Sequence, residues 1–328
     1  MTIFDRSVAV CAAALLAGAA AFTAPAQAQT YPTRNITMIV PFAAGGPTDV
    51  IARIVTAHMA QTLGQTIIIE NVVGAGGTTA TTRAAKATND GYTLITGHMG
   101  THAAAVPLYP KLAYHPEKDF EPVALLAGTP ILILARKDFE PKNLKDFVTY
   151  VKANTAKVNA AHAGVGSVSY TSCELLNSIL EIKPTGVPFN GTGPAMNALV
   201  GGQVDYMCDQ IVNAVPQING GTIKTYGIAT AERNPSLPDV PTTIEAGLPA
   251  FQAQAWNAIF APKGTSPEIV AKLNDAVSKA LDDENVRKRL LDLGSVIPKK
   301  DERTSASLAA LVKSEIAKWT PVLKPTTN

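Results

Sequence analysis

The chain has 328 residues, with 28 Lys or Arg against 26 Asp or Glu, a formal charge of +2 and no long run of either sign. That balance carries no electrostatic footprint for nucleic acid. Five histidines occur without HExxH, CxxC or other metal-ligand spacing, which argues against a metal site, and no cofactor motif is present.

Arg6 precedes an apolar run over 8–22 that is too short to span a bilayer, and Ala26-Gln27-Ala28 follows it as an A-x-A cleavage signal. Residues 1–28 are therefore expected to be a cleaved signal peptide, which places the mature chain in the periplasm. No later segment is long and apolar enough for a membrane helix, so a soluble chain of about 300 residues is expected, more than one core usually serves. Two domains follow as the expectation. Only Cys173 and Cys208 survive processing. Two buried free thiols are the expectation for them, with a single bridge as the alternative that an oxidising compartment permits.

A β-branched run over 36–40 predicts a strand, and Pro47 opens a helix to about residue 63 whose apolar positions Ile51, Ile54, Val55, Met59 and Leu63 share one face. A strand over 66–70, a turn at Gly74-Ala75-Gly76-Gly77, a small-residue helix through Ala87 and a strand over 92–96 follow. This half reads as a parallel sheet with crossover helices. Between Pro107 and Pro122 the pattern breaks, and a buried strand over 131–135 resumes it.

A second alternating set succeeds: helix 144–153, strand 158–161, helix 170–180, strand 185–188, helix 194–200, strand 204–208, helix 211–218 and strand 225–229. A Pro-rich return over 234–241 leads to a strand at 255–261 and helices over 267–281, 283–293 and 304–319. The expected organisation is one discontinuous lobe of residues 29–127 plus 229–328 and a second lobe of residues 128–228, with a cleft between them.

The most informative local segment is Pro41-Phe42-Ala43-Ala44-Gly45-Gly46-Pro47-Thr48-Asp49, in which a strand ends, two glycines turn the chain and Pro47 takes the first helical position. Such a turn offers backbone N–H groups at the positive end of a helix dipole, a ready anion site, and Thr48 adds a hydroxyl. A tight β-α turn with Asp49 supporting its own helix terminus is the plainer reading. Ala163-Gly164-Val165-Gly166-Ser167-Val168-Ser169-Tyr170 repeats the arrangement, and Phe189-Asn190-Gly191-Thr192-Gly193-Pro194 is a third polar turn before a helix. Neither glycine-rich segment is a Walker loop, and GVGSVS lacks the GxSxG of a nucleophile elbow. Gly97-His98-Met99-Gly100-Thr101-His102 follows a strand end and is a weaker cleft candidate. Asp209 either meets a ligand amine or hydroxyl or caps the helix from Ile211. A hydrolase built on Ser167 or Ser169 with His162 or His102 is a competing reading, as is a sensor with no transport role.

An ordered set of segments carries a resemblance: Tyr31-Pro32, PFAAGGPTD at 41–49, ENVVGAGG at 70–77, DGYTL at 90–94, KDFEPVALL at 118–126, GVGSVSYTSCELL at 164–176, PFNGTGPAMNALVGGQVDYMCD at 188–209, LPDVPTTIEAGLP at 237–249 and WNAIFAPKGTSPEIVAKLN at 256–274. In these the chain resembles the extracytoplasmic receptors of tripartite tricarboxylate transporters, the Bug family. The resemblance implies an α/β fold of the type II-like periplasmic-binding-protein kind, a Venus flytrap with a mainly parallel or mixed sheet in each lobe. It implies a monomeric, non-enzymatic receptor without a cofactor, a small carboxylate as ligand and integral-membrane transporter subunits as partners.

The ligand-binding set expected from the turns and the resemblance together is Phe42, Ala44, Gly45, Gly46, Thr48, Thr101, His102, Gly166, Ser167, Ser169, Tyr170, Asn190, Gly191 and Asp209. Relatives in the family take dicarboxylates, tricarboxylates, amino acids, nicotinic-type compounds or aromatic acids. This chain departs from many of them at Tyr170, where they carry histidine, and at Asn190, where they carry lysine.

Overall fold

The computed structural model describes residues 31–323; the expected signal peptide lies outside them. Among the described residues nine strands form one sheet, eight of them on a hydrogen-bonded path in the order β2-β1-β3-β9-β4-β7-β5-β6 and the ninth, β8, off that path on β4. β1 (Ile36–Val40) runs parallel to β2 (Ile67–Asn71) and β3 (Thr93–His98). β5 (Asn159–His162) runs parallel to β6 (Thr185–Pro188) and β7 (Tyr206–Gln210).

The strand that joins these parallel sets is β4 (Phe120–Arg136), 17 residues long. Its first part pairs antiparallel with β9 (Gln254–Pro262) as far as Pro130, and from Ile131 it pairs with β7 and with β8 (Ile223–Ile228). The sequence pattern places a strand only from residue 131. Pro122, Gly128 and Pro130, together with two register shifts against β9, hide the preceding eleven residues, because proline and bulges interrupt the alternation that marks a strand.

The helices begin and end where local chemistry directs. α1 (Pro47–Leu63) has Pro at its start and Gly64 in the left-handed conformation at its end, and buries Ile51, Ile54, Val55, Met59 and Leu63. α2 (Thr78–Ala85) crosses from β2 to β3, and the short α3 (Ala105–Leu108) follows β3. α4 (Leu144–Ala153) is capped by Asn143, α5 (Val168–Leu180) by Ser167, and α6 (Thr192–Val200) starts after Gly191. α7 (Ile211–Asn219) follows β7 directly. α8 (Pro267–Asp282), α9 (Glu284–Asp292) and α10 (Ser305–Trp319) are capped by Ser266, Asp283 and Thr304. The core runs through both sheet halves, with Phe120, Phe147, Tyr206 and Phe260 each fully buried. Each such side chain contributes about 1.5–3 kcal/mol of burial.

Cys173 on α5 and Cys208 on β7 form a disulfide, their Cα atoms 5.2 Å apart. This corrects the expectation of two free thiols. Helix α5 packs against β7, and that contact brings two residues 35 apart in sequence within disulfide reach.

Candidate functional site

Three β-α turns meet at one place. In the first, the chain leaves β1 and reaches α1 through Gly45, whose φ of 85° suits a residue without Cβ. Asp49 holds this turn from beneath: its carboxylate accepts from Gly45 N at 3.0 Å, Arg53 Nε at 2.9 Å and Asn71 Nδ2 at 2.9 Å. Burial by itself would raise the pKa of Asp49, but the hydrogen bonds from Arg53, Gly45 and Asn71 outweigh it and hold the carboxyl below its ordinary value. Asp49 thus supports its own helix terminus, as the plainer reading held. The same bonds hold the backbone at the helix start in place.

In the second turn, between β5 and α5, hydroxyls replace the ions. Ser167 Oγ caps α5 by accepting from Tyr170 N at 3.2 Å, and Ser169 Oγ accepts from Ala163 N at 2.9 Å and shares a hydrogen bond with Ser167 Oγ at 3.2 Å. The third turn leads through Gly191 into α6, and Asn190 O accepts from Ala43 N of the first turn at 3.0 Å. Glycines let these backbones close on one another. A Cβ on Gly76 would stand 1.7 Å from Val165 O, and one on Gly191 would stand 3.1 Å from Ala43 N. Tyr109 Oη fastens the same edge, donating to Val165 O at 2.7 Å and approaching Ala75 O at 3.2 Å.

The turns border a partly open void of about 20 Å³, whose lining includes Phe42, Gly46, Thr48, His98, Ser167, Ser169, Thr192 and Gln210. That is room for roughly one water. No Lys or Arg lines it; the one charged residue on its border is Asp49, whose carboxylate is taken up by Gly45, Arg53 and Asn71, and the other polar groups there are neutral. A larger recess of about 450 Å³ adjoins it, sharing Phe42 and Ala163 and reaching Gly76, Tyr109 and Asn190.

Five of the expected residues, Phe42, Gly46, Thr48, Ser167 and Ser169, border the void. Ala44 and Gly45 sit exposed on the outer side of the first turn. Asn190 borders the recess instead. Gly191 is buried beneath Ala43, and Gly166 lies against the Tyr109 ring. Tyr170 is half-buried with its ring edge-on to His162, 5.1 Å between centroids.

Thr101 and His102 do not border the void. Both are fully buried behind the cleft, and the His102 ring stacks on Phe260 at 3.9 Å with a 12° interplanar angle. A π-helical turn over Gly100–Ala104 rotates these side chains into the core, and it leaves His98, four residues earlier, on the void. Asp209 is fully buried inside β7 rather than beyond its end, and it accepts from Gln210 N at 2.8 Å and Asn213 Nδ2 at 2.6 Å. Burial pushes its pKa up to about 7. It orients its neighbours and does not border the void. His98, Thr192 and Gln210 also border the void; none was in the expected ligand-binding set, though His98 and Thr192 lie in segments that the sequence singled out. Gln210 was missed because β7 extends two residues further than the pattern predicts.

Residues 51–327 match the family described as the tripartite tricarboxylate transporter family receptor. MatC from Rhodopseudomonas palustris with bound malate is 61% identical, with a TM-score of 0.87 over 89% of this chain and 99% of that one. The periplasmic binding protein BugD is 39% identical, with a TM-score of 0.87 over 90% of this chain and 100% of that one. An R. palustris protein with adipate is 31% identical, with a TM-score of 0.86 over 90% and 100%. The architecture is therefore that of the periplasmic binding proteins.

Proposed function

This chain belongs to the tripartite tricarboxylate transporter receptor family, and on that premise we propose that it is an extracytoplasmic receptor for a small dicarboxylate, which it delivers to integral-membrane transporter subunits. The observation that carries the reading is the convergence of the starts of α1, α5 and α6 on one void lined by no cationic side chain. Helix starts stabilise an anion through oriented N–H groups and the dipole. They do so without a buried counter-charge, whose desolvation would have to be recovered at each release. The malate in MatC and the adipate in its more distant relative support a diacid as the ligand class.

The void is too small for such a ligand, so binding requires the turns to part and close again. The two lobes of this motion are residues 29–127 plus 229–328 and residues 128–228. In support, β4 changes partners from β9 to β7 and β8 between Pro130 and Ile131. The signal peptide and the periplasmic location belong to the same proposal. The hydrolase reading has little to stand on: Ser167 and Ser169 bond to each other and to the backbone, and among the described residues neither hydroxyl is hydrogen-bonded to a histidine.

The test is isothermal titration of the purified mature chain with malate, succinate, adipate, citrate and benzoate, alongside native mass spectrometry for a co-purified acid. A diacid that binds 1:1 and raises the melting temperature is expected. No heat and no stabilisation from any of the five would overturn the receptor assignment.

A further inference from the structure

His98 ends β3 and is 1% exposed, and its ring stacks on Phe42 with 5.2 Å between centroids. Its Nδ1 accepts from Gly100 N at 2.9 Å and from Thr101 N at 3.3 Å. A ring nitrogen that accepts carries no proton, so the neutral imidazole has its hydrogen on Nε2. Nε2 has no partner among the described residues, yet it is not one of the polar atoms sealed away unpaired. Since His98 borders the void, the Nε2–H faces it.

Gln210 is built the same way from the other half of the sheet. Its Oε1 accepts from Thr129 Oγ1 at 2.7 Å and from Asn257 Nδ2 at 3.1 Å, and Asn257 Oδ1 in turn accepts from Thr48 Oγ1 at 3.2 Å. A flipped Gln210 amide would set its NH2 against that of Asn257, so the network directs the NH2 away from Asn257. It too lacks a partner among the described residues without being sealed off, and Gln210 borders the same void.

A carboxylate has about four acceptor sites, and the N–H groups of three helix starts, with the one hydroxyl proton that the Ser167–Ser169 pair leaves free, already face one anion position; the Thr48 proton is spent on Asn257. Two further fixed donors call for a second acceptor. Resting on the receptor reading above, we propose that the His98 Nε2–H and the Gln210 NH2 form a neutral donor pair that reads the second carboxylate of a short diacid and so discriminates diacids from monoacids. Charging His98 would add a proton at Nδ1 and break both backbone hydrogen bonds. Burial also disfavours the cation, pushing the pKa of His98 down to about 3. The pair therefore stays neutral while Asn257 on β9 and Thr129 on β4 brace it. Because His98 lies on β3 and Gln210 on β7, a diacid held by both ties one sheet half to the other.

Titration with succinate and with butyrate, which has the same chain length and one carboxylate fewer, tests the pair in three proteins. These are the natural chain, His98→Phe, which keeps an aromatic ring on Phe42, and Gln210→Glu, which keeps the acceptor for Thr129 and Asn257. The succinate-to-butyrate affinity ratio is expected to fall by about 10- to 100-fold in each variant, the size of one or two lost charge-assisted hydrogen bonds. Nitrogen-15 shifts of His98 in the natural chain should show a protonated Nε2 and a bare Nδ1 from pH 7 to pH 5. An unchanged ratio, a parallel loss of both acids or the opposite tautomer would overturn the pair while leaving the receptor standing. A natural chain that binds neither acid, nor any of the five acids above, overturns the receptor reading itself. If His98→Phe does not fold, Gln210→Glu and the tautomer decide.

Discussion

The turn over 41–49 and the turn over 163–170 perform the same task with different chemistry. In the first, a buried carboxylate gathers a backbone N–H, a guanidinium and an amide. In the second, two hydroxyls cap the helix and bind the strand end, and the Cys173–Cys208 bond ties that helix to the neighbouring strand. An anion-ready helix start needs its backbone held still, and either an ionic or a neutral brace suffices provided each buried donor and acceptor is satisfied. The ionic brace carries a pH dependence that the neutral one lacks.

The comparison breaks most strongly if charge is placed on the first turn. Gly46→Asp is expected to weaken diacid binding by at least about 100-fold, since it sets a carboxylate where the ligand's own must lie; calorimetry that finds unchanged affinity would detach this turn from the ligand. Removing the staple beneath the second turn with Cys173→Ala and Cys208→Ala is expected to lower the unfolding free energy by about 2–4 kcal/mol in urea denaturation.

The two braces can then be set against each other. Asp49→Asn and Ser169→Ala are each expected to cost about 1–3 kcal/mol, because each strands a buried donor. Their pH profiles should differ. The pKa of Asp49 is lower folded than unfolded, so its contribution is complete above the ordinary carboxylate value and is lost as pH falls through the folded one. Thermal melts across pH 2.5–7 should therefore show the gap between the natural chain and Asp49→Asn closing in acid, while the gap for Ser169→Ala stays open. Parallel profiles would refute the ionic assignment. The smallest effect is Thr48→Ala, about 0.5–1.5 kcal/mol in diacid affinity, because the Thr48 hydroxyl proton is donated to Asn257 Oδ1 and acts on the ligand only through the network that holds Gln210. A larger loss would show that Thr48 gives up that bond to meet the ligand itself.

Most elements were legible because their signals are local. The apolar face of α1 repeats with helical period, Pro47 and Gly64 mark its ends, and glycine-rich turns announce each β-α connection. The unpaired N–H groups at the starts of α1, α5 and α6 were legible for the same reason, since they follow from backbone geometry alone. The long reach of β4 was not, because its pairing with β9 joins segments more than a hundred residues apart and tolerates prolines that local propensity rejects.

The clearest limit lies within one five-residue stretch. His98 and His102 are the same residue type on the same loop, yet one borders the void and the other stacks on Phe260 in the core. Nothing in their spacing separates them; the rotation of the π-helical turn and the position of β9 do. By itself the sequence determined the alternation of strands and helices, the family resemblance and the chemistry of the turns, all of which rest on backbone rules over a few residues. Tertiary structure alone decided which side chains face the void and that the two cysteines meet, because those outcomes depend on packing between distant segments that no local pattern encodes.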